Sequence, residues 1–227
     1  MPGLFPGPLG ISCIGKALGT EWLLEVDDLR SYATDKHKTI DDTPCGGGGG
    51  MIIKCDIVDS WFSEEKNRSR RKIYMSPRGK VFNQSMVQDL LTTDLCILCG
   101  RYEGVDVRVL RHWQVEEISI GDFILHGGES AAMAIIEACT RAIVVKKHSY
   151  SNDTFSDGLL EHDQYTKPVE WKPKLPLDEE QIKIYNVPEV LVSGDHEKVR
   201  QWRLDNSKAV TRANRPDLWQ KYLEDNG

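Results

Sequence analysis

The chain has 227 residues, 40% hydrophobic and 28% charged, with a formal net charge of −6. This is ordinary globular composition, enough for one large domain or for one domain with a small second one. The acidic balance weighs against a polyanion partner unless basic side chains are gathered locally.

Read in chain order, Met1-Pro-Gly-Leu-Phe-Pro-Gly-Pro-Leu-Gly10 has no cationic segment and is broken by Pro and Gly, so it does not read as a signal peptide. Gly10-Ile-Ser-Cys-Ile-Gly15-Lys16-Ala17 imitates a phosphate-binding loop, but Ala17 stands where a hydroxyl must hold Mg²⁺, and no strand precedes it. Trp22 to Val26 reads as a strand, and Met51 to Phe62 contains a helix. Between them, Asp41-Asp42-Thr43-Pro44 leads into five consecutive glycines, Gly46 to Gly50. These read first as a flexible loop and second as bare backbone that closes on a large ligand.

From Lys72 onward strand and helix signals alternate: strand at Lys72 to Met75, helix at Gln84 to Thr92, buried strand at Leu95 to Cys99, short helix at Val105 to Trp113, strand at Val115 to Ile120. A long helix follows from Glu129 to Val144, with Met133, Ile136, Thr140 and Ile143 near one face. The alternation predicts a parallel sheet covered by helices. Glycines fall just after the strands, at Gly79, Gly100 and Gly121, with Gly127-Gly128 before the long helix. In open α/β sheets ligands bind outside the carboxyl ends of strands. Each glycine alone reads as a tight turn; three in succession, beside Tyr74-Met-Ser-Pro77, point to a small-molecule site.

The composition turns polar between His148 and Gly158, and prolines at 168, 173 and 176 mark a linker. Two helices follow between Glu197 and Leu223, with Pro216 suited to the first turn of the second. Six cysteines are scattered through the chain and read as reduced thiols of a cytoplasmic protein. Cys96 and Cys99 form a CxxC, but three positions apart on a strand they point to opposite faces and cannot share a metal. Basic side chains gather at Lys66, Arg68, Arg70, Arg71 and Lys72, and again at Lys198, Arg200, Arg203, Lys208, Arg212 and Arg215. Either cluster reads equally as a solvated face or as a nucleic-acid contact. No apolar run approaches the roughly 18 residues that span a bilayer, so no membrane partner is expected.

Cys99-Gly-Arg-Tyr-Glu-Gly-Val-Asp106 and Ile118-Ser-Ile-Gly-Asp-Phe-Ile-Leu125 with Gly127-Gly-Glu129 resemble signatures of the bacterial tRNA (guanine-N1)-methyltransferases, a knotted SPOUT class. Tyr74-Met-Ser-Pro77, Asp41-Asp-Thr-Pro-Cys-Gly-Gly-Gly48, Tyr165-Thr-Lys-Pro168, Val187-Pro-Glu-Val-Leu191, Ser193-Gly-Asp-His196, Trp202-Arg203 and Arg215-Pro-Asp-Leu218 resemble further motifs of that family, in order from about Phe5 to Leu218.

The resemblance implies an α/β fold in which residues 1–150 form a parallel-sheet domain tied in a deep trefoil knot. Residues 151–168 would form a linker, and residues 169–227 a small helical domain that binds tRNA. It implies S-adenosylmethionine as methyl donor, held by Ser76, Pro77, Gly100, Glu103, Ile120, Gly121, Asp122, Phe123, Ile124, Leu125, Gly127 and Gly128. The product would be a guanosine methylated at N1, at tRNA position 37, 3′ of the anticodon. A homodimer with its active sites between subunits is implied, with tRNA and not DNA as nucleic-acid partner. Dependence on Mg²⁺ is a family trait whose ligands this sequence does not mark.

N1 of guanine carries a proton, so a general base must remove it as the methyl arrives. The family's aspartate falls on Asp153, with Asp157 as rival, and each also reads as a turn or cap residue. Charge then develops on O6 and calls for a fixed cation. The family's arginine falls on Arg141, which reads otherwise as a cation complementing the helix dipole. Arg200, Arg203 and Lys208 are the expected tRNA contacts.

Three departures from the family pattern stand out. Only Met-Pro-Gly-Leu precedes Phe5-Pro6, where the family has a buried strand. The segment after Arg141 is shorter. His126 and Gly49 replace a serine and a proline. Alternative readings are an RNA-binding protein of the knotted fold without activity, and a SPOUT methyltransferase acting on another RNA.

Overall fold

In a computed structural model the chain divides into two compact units, Met1–Tyr150 and Ser151–Gly227. The structure describes residues 1–147, 157–174 and 184–226, with the backbone alone for 145–147. In the first unit the elements run α1 (Ser12–Ala17), β1 (Asp41–Asp42), β2 (Ile52–Ile53), α2 (Cys55–Ser63), α3 (Glu65–Arg68), β3 (Arg71–Val81), α4 (Gln84–Leu90), β4 (Leu95–Leu98), α5 (Val107–His112), β5 (Glu116–Ser119) and α6 (Glu129–Lys147). The second unit contributes β6 (Glu170–Trp171), β7 (Tyr185–Asn186), α7 (Glu189–Val192), α8 (His196–Asn214) and α9 (Pro216–Asn226).

The expected α/β architecture with a parallel sheet is present: three parallel strands in the order β4-β3-β5. Alternation along central β3 explains its two buried faces. Ile73 and Met75 point into a cluster with Val87 and Leu90 of α4 and Ala132, Ile135 and Cys139 of α6. Tyr74 points the other way, to Val58, Trp61 and Phe62 of α2 and Val109 and Leu110 of α5. Cys96 joins the second cluster, whereas Cys99 packs against the first, so the CxxC is divided between faces as its spacing predicts.

α6 buries two stripes rather than one. Ala131, Ala132, Ile135, Cys139 and Ala142 face the sheet. Met133, Ile136 and Ile143, the stripe legible in sequence, face Leu9, Ala17 and Trp22 of the N-terminal segment. The imitation phosphate loop lies in that segment. A side chain at Gly15 would strike the Gly10 backbone, so this glycine pair serves chain packing.

Trp22 to Val26 is not a strand. Trp22 is anchored by its indole N–H donating to the Ile14 carbonyl at 3.0 Å, while Leu23 and Val26 stay exposed. The segment forms no ladder. It lines a cleft of about 1270 Å³ that also takes in Leu95 to Leu98 of β4, on the edge away from β3.

In the second unit α8 packs on α7 and α9, and Pro216 opens α9 as its fixed φ allows. Thr211, fully buried on α8, accepts a 2.8 Å hydrogen bond from the Leu160 N–H. No helix among the described residues is long and apolar enough to cross a membrane.

Candidate active site

The site is built where the three parallel strands end. β3 is interrupted at Ser76-Pro-Arg-Gly79: Met75 and Lys80 both pair with Ile118 of β5, so the four residues between them bulge out. Gly79 makes the bulge feasible, because a Cβ there would coincide with the backbone of Glu117 and Ile118. Ser76 Oγ accepts from the Arg78 N–H at 3.2 Å and holds the bulge in shape.

Behind it, the loops after β4 and before α6 are locked together. The Gly128 N–H donates to the Gly100 carbonyl at 2.9 Å, and Arg101 bridges Gly127. A Cβ at Gly128 would lie 3.0 Å from Met75 Cβ and 3.1 Å from Cys99 Cα. All three loops therefore meet at this residue. Beneath them Glu129 is 2% exposed, and Arg101 Nε donates to its carboxylate at 3.0 Å. Burial alone would raise the Glu129 carboxyl, but the Met1 ammonium and the Arg101 guanidinium outweigh it and hold it below the usual range. The pair was not singled out in the sequence, although both residues lie in its motifs; an acid directly after two glycines was the available signal.

The Ile120 to Leu125 loop supplies the outer wall. Ser119 Oγ lies 3.1 Å from both the N–H and the carbonyl of Gly121 and pins the turn. Beyond Asp122, Phe123, Ile124 and Leu125 are 53%, 81% and 40% exposed, an apolar run at the strand ends. Such an exposed run marks a ligand or protein contact more often than plain surface.

The strand-end glycines lie close to neighbouring side chains. Side chains at Gly100, Gly121 and Gly127 would meet Tyr74, Phe123, and Glu129 with Arg101, respectively. Side-chain contacts at Gly100 and Gly127 already favour glycine, and at Gly121 a φ of +140° does.

The five-glycine loop ends on this site. Met51 accepts from the Glu103 N–H at 3.0 Å, and a side chain at Gly50 would strike the Glu103 carboxylate. Gly46, Gly47, Gly48 and Gly50 have φ of +93°, +82°, +118° and +84°, a region that L side chains rarely adopt. Gly49 alone of the five lies outside that region, and it is the position where the resembled family has proline. The loop is thus a shaped backbone feature as well as a glycine run.

Of the two proposed reacting groups, Asp153 lies outside the described residues. Asp157 is exposed in a turn. Arg141 is exposed on α6, twelve positions past Glu129. The helix rise over that distance is roughly 18 Å, so the structure does not bring Arg141 to the donor loops of its own chain.

The two basic clusters differ. Lys66 pairs with Asp27 at 2.8 Å, Arg70 with Glu25 at 2.9 Å, and Arg71 with Asp89 at 2.7 Å and Glu116 at 2.5 Å. Arg68 donates to the Ser63 carbonyl. Lys72 is buried, donates to the carbonyls of Asn67, Arg68 and Arg70, and lies 4.8 Å from the centre of the Trp113 ring. Burial pushes its pKa down. This cluster is internal wiring. On α8, Lys198 pairs with Asp195 and Arg200 with Glu197, while Arg203 and Lys208 form no ion pair among the described residues. Lys208 Nζ lies 5.9 Å from the centre of the Tyr222 ring. No cluster of three or more His, Cys, Asp or Glu suited to a metal is found among the described residues.

A family model described as tRNA (Guanine-1)-methyltransferase TrmD matches residues 1–221. A curated relative from Pelagibacter ubique, named tRNA (guanine-N(1)-)-methyltransferase, is 45% identical over 97% of this chain and 94% of its own length. Relatives of the same name from Rhodospirillum rubrum and a Ruegeria species are 45% and 44% identical, over 98% and 97% of this chain and 90% and 89% of their own lengths. With that identity running through both units, the chain belongs to the tRNA (guanine-1)-methyltransferase TrmD family.

Proposed function

We propose that the chain methylates N1 of the guanosine 3′ of the anticodon in tRNA, with S-adenosylmethionine as donor. We further propose that it acts as a homodimer with a trefoil knot in each N-terminal unit. The observation that carries the reading is the meeting of three strand-end loops at Gly128 beside the exposed Phe123-Ile-Leu125 wall, in a chain of this family.

The residues present fit the donor. Phe123, Ile124 and Leu125 offer apolar surface for a purine face, and the loops of Ser76, Pro77, Gly100, Glu103, Ile120, Gly121, Asp122, Gly127 and Gly128 offer backbone donors and acceptors for polar edges. When bound, the donor supplies an electrophilic methyl group on a sulfonium sulfur. The Asp153 carboxylate would take the N1 proton as the N1–methyl bond forms and the sulfur–methyl bond breaks, the donor leaving as a neutral thioether. Arg141 neutralises the charge that builds on O6, the kind of preorganised stabilisation worth most away from water. The separation of Arg141 from its own donor loops supports an active site completed by a second copy of the chain. Arg203 and Lys208 are left to meet phosphates, with Arg200 a weaker contributor because Glu197 already holds it.

Labelled methyl transfer to a tRNA transcript tests this reading. Guanosine at the target position should accept the label, and adenosine there should not. Equal labelling of both transcripts would redirect the activity to another site, and no labelling of either would leave an RNA-binding protein.

A further inference from the structure

The second unit contains a pocket of about 300 Å³ between the 162–169 segment, α7 and Arg203 of α8, and of its lining only Arg203 has been given a tRNA contact above. Its wall is aromatic: Tyr165 is 45% exposed, and its ring and that of His162 stand edge-on to Trp202 at 6.0 and 6.1 Å. The wall is also held in place. The Asp163 N–H donates to Asn206 Oδ1 at 2.7 Å, and Asn206 Nδ2 donates to the Asp163 carboxylate at 3.1 Å. That double contact fastens the segment to α8 and occupies the one acid in the lining. The cations of the lining are Lys167 and Arg203. Arg203 makes no ion pair among the described residues, in contrast to Lys198, Arg200 and Arg215, which do.

An exposed aromatic ring beside two cations, in a pocket of this size, matches the chemistry of one unpaired nucleotide. Single-stranded RNA is held by base stacking on aromatic rings and by cations at the backbone. Gln164 Nε2 is held by the Glu161 carboxylate at 2.7 Å and His162 Nδ1 by the Asp163 carbonyl at 3.0 Å, which leaves Gln164 Oε1 and His162 Nε2 as hydrogen-bonding groups for a base edge. We propose that this pocket takes one unpaired nucleotide of the tRNA, its base stacked on Tyr165 and its phosphate met by Arg203 and Lys167. The proposal rests on the tRNA reading above and adds a defined contact within the second unit.

Equilibrium binding of unmodified tRNA to the full-length chain, across a salt series, tests it with four variants. Tyr165→Leu should weaken binding by about 5- to 150-fold, the usual range for losing one base stack, with the salt slope unchanged. Tyr165→Phe should bind within about twofold of wild type, since the stacking face is kept. Arg203→Gln should reduce the slope of log affinity against log salt by about one, and Arg203→Lys should restore it. Donor affinity and melting temperature should be those of wild type throughout, and exposed Arg203 keeps the test sound even where Tyr165→Leu loosens the fold. Wild-type tRNA affinity in both Tyr165→Leu and Arg203→Gln would overturn the pocket assignment alone. A wild-type chain without salt-dependent tRNA binding would overturn it together with the tRNA reading.

Discussion

Gly128→Ala is the most direct probe of how the donor loops are assembled. The added methyl would sit 3.0 Å from Met75 Cβ, 3.1 Å from Cys99 Cα and 3.2 Å from Gly100 N. Two of these neighbours are backbone atoms at the end of β4 and cannot swing aside as a side-chain tip can. Gly128 does not have a positive φ, so the whole penalty is steric. The loop must open by a few tenths of an ångström, lengthening the 2.9 Å hydrogen bond from Gly128 to Gly100. Overpacking of this kind costs about 1–3 kcal/mol. For a protein of this size that corresponds to a fall of roughly 2–12 °C in melting temperature. Donor affinity should drop as well, about tenfold for each 1.4 kcal/mol of cradle distortion. Scanning calorimetry and titration calorimetry with S-adenosylmethionine would measure both. Gly49→Ala is the control, because nothing lies within 4 Å of its Cβ and its φ is not positive. Wild-type melting and wild-type affinity in Gly128→Ala would refute the claim that three loops converge at that residue.

Further outcomes follow from the same geometry. Asp153→Asn should lower the methyl-transfer rate by about 10²–10⁴ with donor affinity intact; single-turnover rates within about threefold of wild type would turn attention to Asp157. Burial pushes the Cys96 and Cys99 thiols up to about 12 and Cys139 up to about 11, so their reactive thiolates are scarce at pH 8 and increase only as pH rises toward those values. A thiol reagent at pH 8 should therefore modify exposed Cys13 and Cys45 quickly and buried Cys96 and Cys139 only after denaturation, and fast labelling of Cys96 in the folded chain would contradict its burial. Neutralising Arg203 and Lys208 together should flatten the salt dependence of tRNA binding by about two units. Neutralising Lys66 and Arg70 should leave that slope unchanged, because their charges are already matched by Asp27 and Glu25.

The sheet and its helices were legible because their physics is local. Leu95-Cys-Ile-Leu98 is short, apolar and bounded by a glycine, and Glu129 to Lys147 has no breaker. Trp22 to Val26 misled because its apolar residues are used singly: Trp22 anchors to Ile14, while Leu23 faces solvent. A strand also needs a partner, and propensity cannot supply one. The extent of β3 was underread for a related reason. Lys80 and Val81 rejoin the sheet only because β5 lies beside them, after a bulge that Gly79 permits.

The site was legible as a set of strand-end glycines but not as a mechanism of assembly. Whether a glycine makes room for a ligand or for Tyr74, Phe123 or Arg101 depends on which loop lies opposite. The same long-range pairing separates the two basic clusters. Lys66 finds Asp27, and Arg70 finds Glu25, across some 40 positions of chain, which composition does not reveal. Arg141 was identified by type and position, yet only the length of α6 shows how far it stands from Glu129.

The central claim is methyl transfer to N1 of the guanosine that follows the anticodon. Its most direct test is incubation of the chain with unmodified tRNA and isotopically labelled S-adenosylmethionine, followed by nuclease digestion and mass mapping. The account predicts one labelled N1-methylguanosine per tRNA, at the nucleotide immediately 3′ of the anticodon. Label on another nucleotide, or on another atom of that guanine, would contradict it.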